Sequence, residues 1–130
     1  MEKYPYLFAE YEDGDTYAWL GKLGCYSPII HLQQTDGNSS SHRPFTQEYN
    51  KTGIIDGGKV LRAIYDSYIN GAPDGFPPKC EKLYLTLEVF SGTADYNRDI
   101  LFRLKKSVEY WRQYIKEDGM RLDEIISQIL

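Results

Sequence analysis

Two short apolar segments, separated by a long amphipathic one, set the strongest limit on how this chain can fold. Residues 29–33 and 83–90 are compact runs rich in β-branched, leucine and aromatic residues, which is typical of strands. Between them, apolar residues recur at spacings of three and four from Asp56 to Gly71, which predicts a helix. No hairpin turn joins the two segments. Because strands that alternate with helices usually pair in parallel, the sequence predicts parallel βα units.

Further helices are predicted on either side of these strands. Asp15 is the predicted N-cap of a helix that ends at a left-handed Gly24, and residues 1–14 are either a short strand or an irregular arm. After the second strand, residues 91–93 turn into a long helix that Gly119 ends, and a last amphipathic helix follows. The predicted buried positions of these two helices are Ile100, Leu101, Leu104, Val108, Trp111, Ile115, Leu122, Ile125, Ile126 and Ile129.

Composition limits the class of protein. The chain has 130 residues, 15 basic and 19 acidic, with a net charge of −4, which argues against a nucleic-acid partner. No long uncharged apolar run is present, so neither a membrane span nor a signal peptide is predicted, and two unpaired cysteines fit a cytoplasmic protein. The length indicates one domain, yet it is about half of the roughly 250 residues that a (β/α)8 barrel needs.

Two ionisable residues stand out within the predicted strands. His31 interrupts an apolar strand that is expected to be covered on both faces, and Glu88 lies near the end of the other. A carboxylate in a buried strand is costly unless a cation or a donor meets it. Imidazole and carboxylate on neighbouring parallel strands are suitable ligands for a divalent metal, so His31 and Glu88 are the predicted metal ligands.

A polar loop without periodicity, residues 34–53, follows the first strand. Loops of this length inside a compact domain are more often functional than idle. Together with the end of the strand, the loop offers a density of donors and acceptors that suits a polyhydroxylated ligand, so substrate-binding residues are expected here.

Several segments of the chain resemble a known family of barrels. The segment Ser27–Gly37, the loop ending in His42-Arg43-Pro44-Phe45-Thr46, the helix entry Gly53–Asp56 and the strand Leu85–Phe90 resemble the C-terminal half of the xylose-isomerase-like TIM barrels, close to the sugar phosphate isomerases and epimerases. The likeness extends from about Tyr17 to Ile115. The implied fold is α/β, a partial (β/α)8 TIM barrel in which residues 1–14 are an arm and residues 15–130 are C-terminal βα units with parallel strands.

The resemblance also implies chemistry. Such barrels hold one divalent metal (Mn, Mg, Co or Zn) with two glutamates, one aspartate and one histidine, of which His31 and Glu88 match two. Glu88 would also be a catalytic acid or base that moves a proton through an ene-diolate. Gln33, Gln34, Asp36 and His42 match the substrate-contacting positions. Because residues 1–24 supply no counterpart to the other two ligands, metal binding by the isolated chain is expected to be weak or absent.

The predicted function is therefore a metal-dependent sugar or sugar-phosphate isomerase or epimerase, present as a fragment that is inactive alone. Two alternatives remain: a decarboxylase of the same superfamily, and a non-catalytic carbohydrate-binding or interaction module, which the aromatic content of 15% favours. The expected ligand is a small sugar or sugar phosphate. The expected protein partner is a second copy or an N-terminal half-barrel, because the bare edges of a parallel half-barrel are unstable.

Overall fold

The chain alternates helices with two parallel strands, as shown by a computed structural model that describes residues 3–4, 9–89 and 94–129. The elements in chain order are a 3-10 turn Tyr11–Gly14, α1 Thr16–Leu23, a 3-10 turn Gly24–Tyr26, β1 Ile29–Leu32, α2 Gln47–Asn50, α3 Gly57–Ile69, β2 Tyr84–Leu87, α4 Asn97–Arg112 and α5 Leu122–Ile129. The predicted α/β class is confirmed, as is the parallel pairing of the two strands.

The two strands form one sheet, of which, among the described residues, one face is covered and the other is exposed. On the covered face Leu32 is buried, and its register partner Leu87 packs against the core. On the opposite face, in the part of the chain that is described, the paired residues Ile29 and Tyr84 are 56% and 62% exposed. The expectation that the first strand is covered on both faces is therefore wrong for the described residues, because the helices pack on one side of the sheet.

The core lies between this covered face and helices α3, α4 and α5. It consists of Leu32, Phe45, Val60, Leu61, Ile64, Trp111, Ile125 and Ile126. Phe45 stacks on Tyr110 at a centroid distance of 5.4 Å and meets the edge of Trp111 at 5.2 Å, while Tyr114 packs edge-on against Tyr110. The aromatic residues of α4 and the loop therefore serve mainly as packing.

Details of three helix predictions differ from the structure. Asp15 does cap α1 through its carboxylate, but Gly24 has φ −53°, so the chain continues as a right-handed 3-10 turn. Helix α4 ends at Arg112, well before the left-handed Gly119 at φ +85°. Of the predicted stripe on α4, Leu101 and Val108 are exposed.

The buried face of α4 includes a serine. Ser107 is fully buried; its hydroxyl donates to the carbonyl of Arg103 and accepts the backbone N–H of Phe45 at 2.9 Å. Ser107 and Trp111, four residues later, are the buried residues of α4, while Leu101 and Val108 lie on its exposed side. Hydrophobic periodicity cannot detect such a contact because serine does not count as apolar.

Two of the remaining predictions concern the N-terminal arm and the membrane. Residues 11–14 form a 3-10 turn and no strand, while residues 1, 2 and 5–8 of the predicted arm lie outside the described part of the chain, as do residues 90–93 of the strand end and turn. None of the described helices is both long enough and apolar enough to cross a bilayer.

The polar loop between β1 and α3 is more ordered than its sequence predicts. It contains α2 and a two-residue antiparallel bridge, in which the backbones of Gln34 and Arg43 exchange hydrogen bonds of 2.9 and 3.0 Å. Tyr17 of α1 holds the end of this loop that precedes α3, because its hydroxyl donates to the carbonyl of Ile54 and accepts the N–H of Asp56.

The side chain of Gln34 is the main internal support of this loop. It is 1% exposed, and its amide nitrogen donates to Asn50 Oδ1 and to the carbonyl of Ile55, both at 2.9 Å. Its carbonyl oxygen accepts the N–H groups of Ile55 and Thr35 at 3.0 and 3.1 Å. All the hydrogen-bonding capacity of a buried amide is used, which is the condition for burying one without a large penalty.

Replacing Gly53 tests this support. A Cβ at Gly53 would overlap the amide group of Gln34, so Gly53→Ala must displace a fully hydrogen-bonded, buried side chain. We expect a loss of about 1–3 kcal/mol in the free energy of unfolding, measured by urea denaturation. Gly71→Ala is the matched control, because a Cβ there meets no atom within 4 Å. Equal stability of the two variants would contradict the packing at Gly53.

Tyr110 gives the fold a specific dependence on alkaline pH. Burial raises the pKa of Tyr110 to about 12, above the usual value of 10.0, although the hydrogen bond from Gly57 partly offsets this rise. Its contribution to stability is therefore complete below pH 10.0 and is lost as the pH approaches about 12. Burial also raises the pKa values of Tyr17 and Tyr68, so they act in the same direction.

We expect Tyr110→Phe to reduce the alkaline loss of stability. At neutral pH the variant should lose about 0.5–1.5 kcal/mol, because the N–H of Gly57 loses its acceptor. Denaturant unfolding at several pH values between neutrality and pH 12, with tyrosinate absorbance as a second readout, measures both effects. Tyr11→Phe is the control, since Tyr11 is 96% exposed. A pH profile identical to that of the wild type would show that Tyr110 ionises freely in the folded state.

Candidate functional site

The functional candidates lie where the two parallel strands end. Strands β1 and β2 run in register, His31 beside Thr86 and Leu32 beside Leu87, so their carboxyl ends meet at the same edge. Glu88 follows directly, and its backbone N–H donates to the carbonyl of Leu32 at 2.8 Å. In parallel βα folds this edge is the usual place of ligand sites.

At this edge the carboxylate of Glu88 faces both histidines of the chain. His31 Nδ1 lies 3.3 Å from Oε2 of Glu88, and His42 Nε2 lies 3.4 Å from Oε1. The side chains are 62%, 35% and 45% exposed for His31, His42 and Glu88 respectively. Glu88 is thus half-exposed and not deeply buried, so solvent shares in stabilising its charge. The three groups form a cluster that an incoming ligand can reach.

His42 is brought to the cluster by an unusual backbone conformation. Its φ is +48°, and it is the one non-glycine residue with positive φ in the part of the chain that is described. Such a conformation costs about 1–3 kcal/mol and persists where surrounding contacts enforce it. Here the side-chain oxygen of Gln33 accepts the backbone N–H of His42 at 2.7 Å. A second contact, from the hydroxyl of Ser40, reaches the same oxygen at 3.4 Å.

A separate ion pair stabilises the turn before His42. Arg43 Nη1 lies 3.4 Å from Asp36 Oδ2, and the guanidinium lies 5.4 Å from the ring centre of Tyr49. The pKa of Asp36 is lowered, mainly because its carboxylate accepts the backbone N–H of Asn38 and also because Arg43 is near. Asp36 therefore carries a negative charge that Arg43 partly neutralises.

The structure brings together some of the predicted site residues and separates others. His31, His42 and Glu88 converge, and Gln33 lies beside His42. Gln34 points into the protein, with its amide committed to the loop. The difference follows from strand alternation, because Gln33 continues the exposed series of Ile29 and His31. That alternation was the available signal for separating Gln33 from Gln34.

Sequence reasoning also missed two contacts. His42 lies in the loop after β1 and Glu88 directly follows β2, so no local sequence pattern predicts that they pair. The Asp36–Arg43 pair spans a turn, and nothing in the polar composition of the loop indicates that these two residues pair.

The donor types at the strand edge suit a divalent metal, but their number is small. Imidazole nitrogen and carboxylate oxygen bind Mn, Co and Zn, and the carboxylate alone favours Mg. Among residues 3–4, 9–89 and 94–129, no group of three or more His, Cys, Asp or Glu side chains is arranged to hold a metal ion. The two imidazoles face different oxygens of Glu88, which is consistent with that result.

The chain is similar in sequence to a known enzyme. No family model matches the chain. The chain is 31% identical over 104 residues to D-erythrulose 1-phosphate 3-epimerase of Brucella abortus (strain 2308). The aligned segment covers 80% of this chain and 30% of the relative, so the chain spans under a third of the relative's length. The predicted relationship to the sugar phosphate isomerases and epimerases is thus supported, and the chain is related in sequence to a sugar phosphate epimerase.

Proposed function

We propose that this chain forms part of the active site of a sugar or sugar-phosphate isomerase or epimerase, in which Glu88 transfers the proton. The observation that carries the proposal is the position of Glu88 at the carboxyl edge of the parallel strands, with an imidazole at each oxygen. The similarity to an epimerase of D-erythrulose 1-phosphate supports a short ketose phosphate as the proposed substrate class.

In the proposed reaction Glu88 acts on the carbon next to the substrate carbonyl. The carboxylate takes the proton from that carbon, the C–H electron pair forms the new carbon–carbon double bond, and the carbonyl oxygen takes up the displaced electron pair and a proton. Returning a proton to the same carbon from the other side gives the epimer, and returning it to the neighbouring carbon gives the isomer. A half-exposed carboxylate that contacts two imidazoles suits this role, because carboxylates and imidazoles are common general acids and bases in enzymes.

We propose that His31 and Glu88 also supply two ligands of a divalent metal, Mn, Mg, Co or Zn. When bound, the metal would polarise the substrate carbonyl. Since the described residues offer no set of three ligands, further ligands have to come from elsewhere, and binding to this chain alone should be weak.

The substrate hydroxyls are proposed to meet the loop residues of the same edge. His42 lies next to Glu88, Gln33 contacts the backbone of His42, and Asp36 offers a charged acceptor in the same loop. Gln34 is proposed to act indirectly, because its buried amide shapes the loop from within.

The bare sheet face leads us to propose that a partner completes the site. Parallel sheets occur almost only with both faces covered, and Ile29 and Tyr84 leave one face apolar and exposed. Further βα units of a (β/α)8 barrel, from an N-terminal half-barrel or a second copy of this chain, would cover that face. They would also supply the missing ligands and the second acid–base group. On this proposal the chain alone is inactive.

The alternatives from sequence analysis have less support. A decarboxylase of the same superfamily would use the same edge and stays a prediction. The carbohydrate-binding module was motivated by aromatic residues, but Phe45, Tyr110, Trp111 and Tyr114 pack against one another at the core.

Exchange of substrate hydrogen with solvent deuterium tests the proposed chemistry. The chain is mixed with Mn2+, with D-erythrulose 1-phosphate and with the part of the relative that lies outside the aligned segment, and exchange at the carbon next to the carbonyl is followed by NMR. We expect exchange in the mixture and none with either part alone. Glu88→Gln should slow exchange by about 100-fold or more, as for loss of a general acid–base group.

Glu81→Gln is the control for that experiment, because Glu81 is an exposed carboxylate just before the same strand. Exchange that survives Glu88→Gln unchanged would exclude Glu88 as the proton-transfer residue. Full exchange by the lone chain would instead contradict the need for a partner.

Titration with Mn2+ tests the proposed ligands without any turnover. The chain has two histidines, so their ring signals are easily resolved and assigned. Paramagnetic Mn2+ should broaden the His31 signals of the wild type at high metal concentration. Glu88→Gln should weaken this effect strongly, whereas Glu81→Gln should leave it unchanged. Equal broadening in the wild type and in Glu88→Gln would remove Glu88 from the ligand set.

A further inference from the structure

We infer that Gln33 is a positioning residue, which acts by holding the imidazole of His42 against Glu88. Its importance for turnover rests on the function proposed above, but the positioning itself is a property of this chain. The inference rests on the backbone of His42, on the contacts of Gln33 and on the separate contacts that each imidazole makes with the carboxylate.

The backbone of His42 has a conformation that needs support from its neighbours. His42 has φ +48°, which a side-chain-bearing residue rarely adopts unless its neighbours enforce it. The next residue, Arg43, is fixed by its two backbone hydrogen bonds to Gln34. The peptide that follows His42 is thereby held, but the peptide that precedes it needs its own support.

Gln33 provides that support. Its side-chain oxygen accepts the backbone N–H of His42 at 2.7 Å, which is the short end of the range for such a bond. Gln33 and Gln34 are adjacent in sequence, and their side chains serve opposite faces of the chain. Gln34 secures the loop to the core, and Gln33 secures His42 to the exposed face.

These contacts determine the orientation of the imidazole of His42. With both flanking peptides held, the side chain of His42 places Nε2 3.4 Å from Oε1 of Glu88. His31 reaches the other oxygen from the rigid strand β1 and does not depend on Gln33. Loss of Gln33 should therefore release one imidazole from the carboxylate and leave the other in place.

The two histidines make this inference directly measurable. At one fixed pH, we expect Glu88→Gln to change the ring nitrogen shifts of both His31 and His42 in the otherwise wild-type chain, because both imidazoles contact Glu88. In a Gln33→Met background, we expect the change at His42 to fall by more than half and the change at His31 to persist. The coupling between N–H and Hα of residue 42 should also move away from its left-handed value.

Two further variants separate positioning from general loss of structure. Gln33→Glu keeps an acceptor oxygen at the same reach and should restore the response of His42 to Glu88→Gln. Gln33→Asn keeps the amide but is one methylene too short, so it should behave like Gln33→Met. A merely structural role would affect His31 and His42 alike and would not be rescued by the glutamate.

The inference is overturned if His42 responds to Glu88→Gln equally in the wild type and in Gln33→Met. It is also overturned if Gln33→Asn and Gln33→Glu behave identically. Should Gln33→Met fail to fold, Gln33→Asn and Gln33→Glu make the same comparison in a folded chain. These measurements need no turnover, so they can be interpreted even if the proposed reaction is not observed. If Gln33 does not position His42, Glu88 is still the proposed proton-transfer residue.

Discussion

The buried amide of Gln34 is the interaction on which the rest of the site depends. A loop that carries polar residues cannot be buried without partners, and an isolated loop of this length would have many conformations. Gln34 solves both problems, because its four hydrogen bonds join the end of β1, the helix α2 and the entry of α3. The price is a strict steric requirement at Gly53, where no side chain fits.

This anchoring explains how a polar loop can present a charged cluster in a defined geometry. The loop is tied to α1 through Tyr17, to α4 through Ser107 and to its own interior through Gln34. None of these ties uses the exposed face of the strand ends. His31, His42 and Glu88 lie on that face. The contacts that hold the loop in place and the groups proposed for the chemistry are therefore on opposite sides of the same chain segment.

The sequence predicted the elements well and their contacts poorly. The order of apolar and amphipathic segments sufficed for the parallel strands, and the polar residue before the first helix correctly indicated Asp15 as its N-cap. Ser107 is buried on α4 and accepts a hydrogen bond from Phe45, which is far from it in sequence, so no local pattern predicts its burial. The left-handed His42 is likewise fixed by a tertiary contact, since histidine has no intrinsic preference strong enough to predict it.

The bare face of the sheet links the fold to the proposed function. Ile29 and Tyr84 point away from the core on the same side as His31, which belongs to the candidate site. Burial of these apolar side chains would contribute a favourable free energy of about 25 cal/mol per Å² of apolar surface removed from water. It would also place new groups next to Glu88. Association and completion of the site are therefore one event in our proposal. On this proposal, the strand face that would meet the partner is also the face on which the carboxylate of Glu88 is accessible.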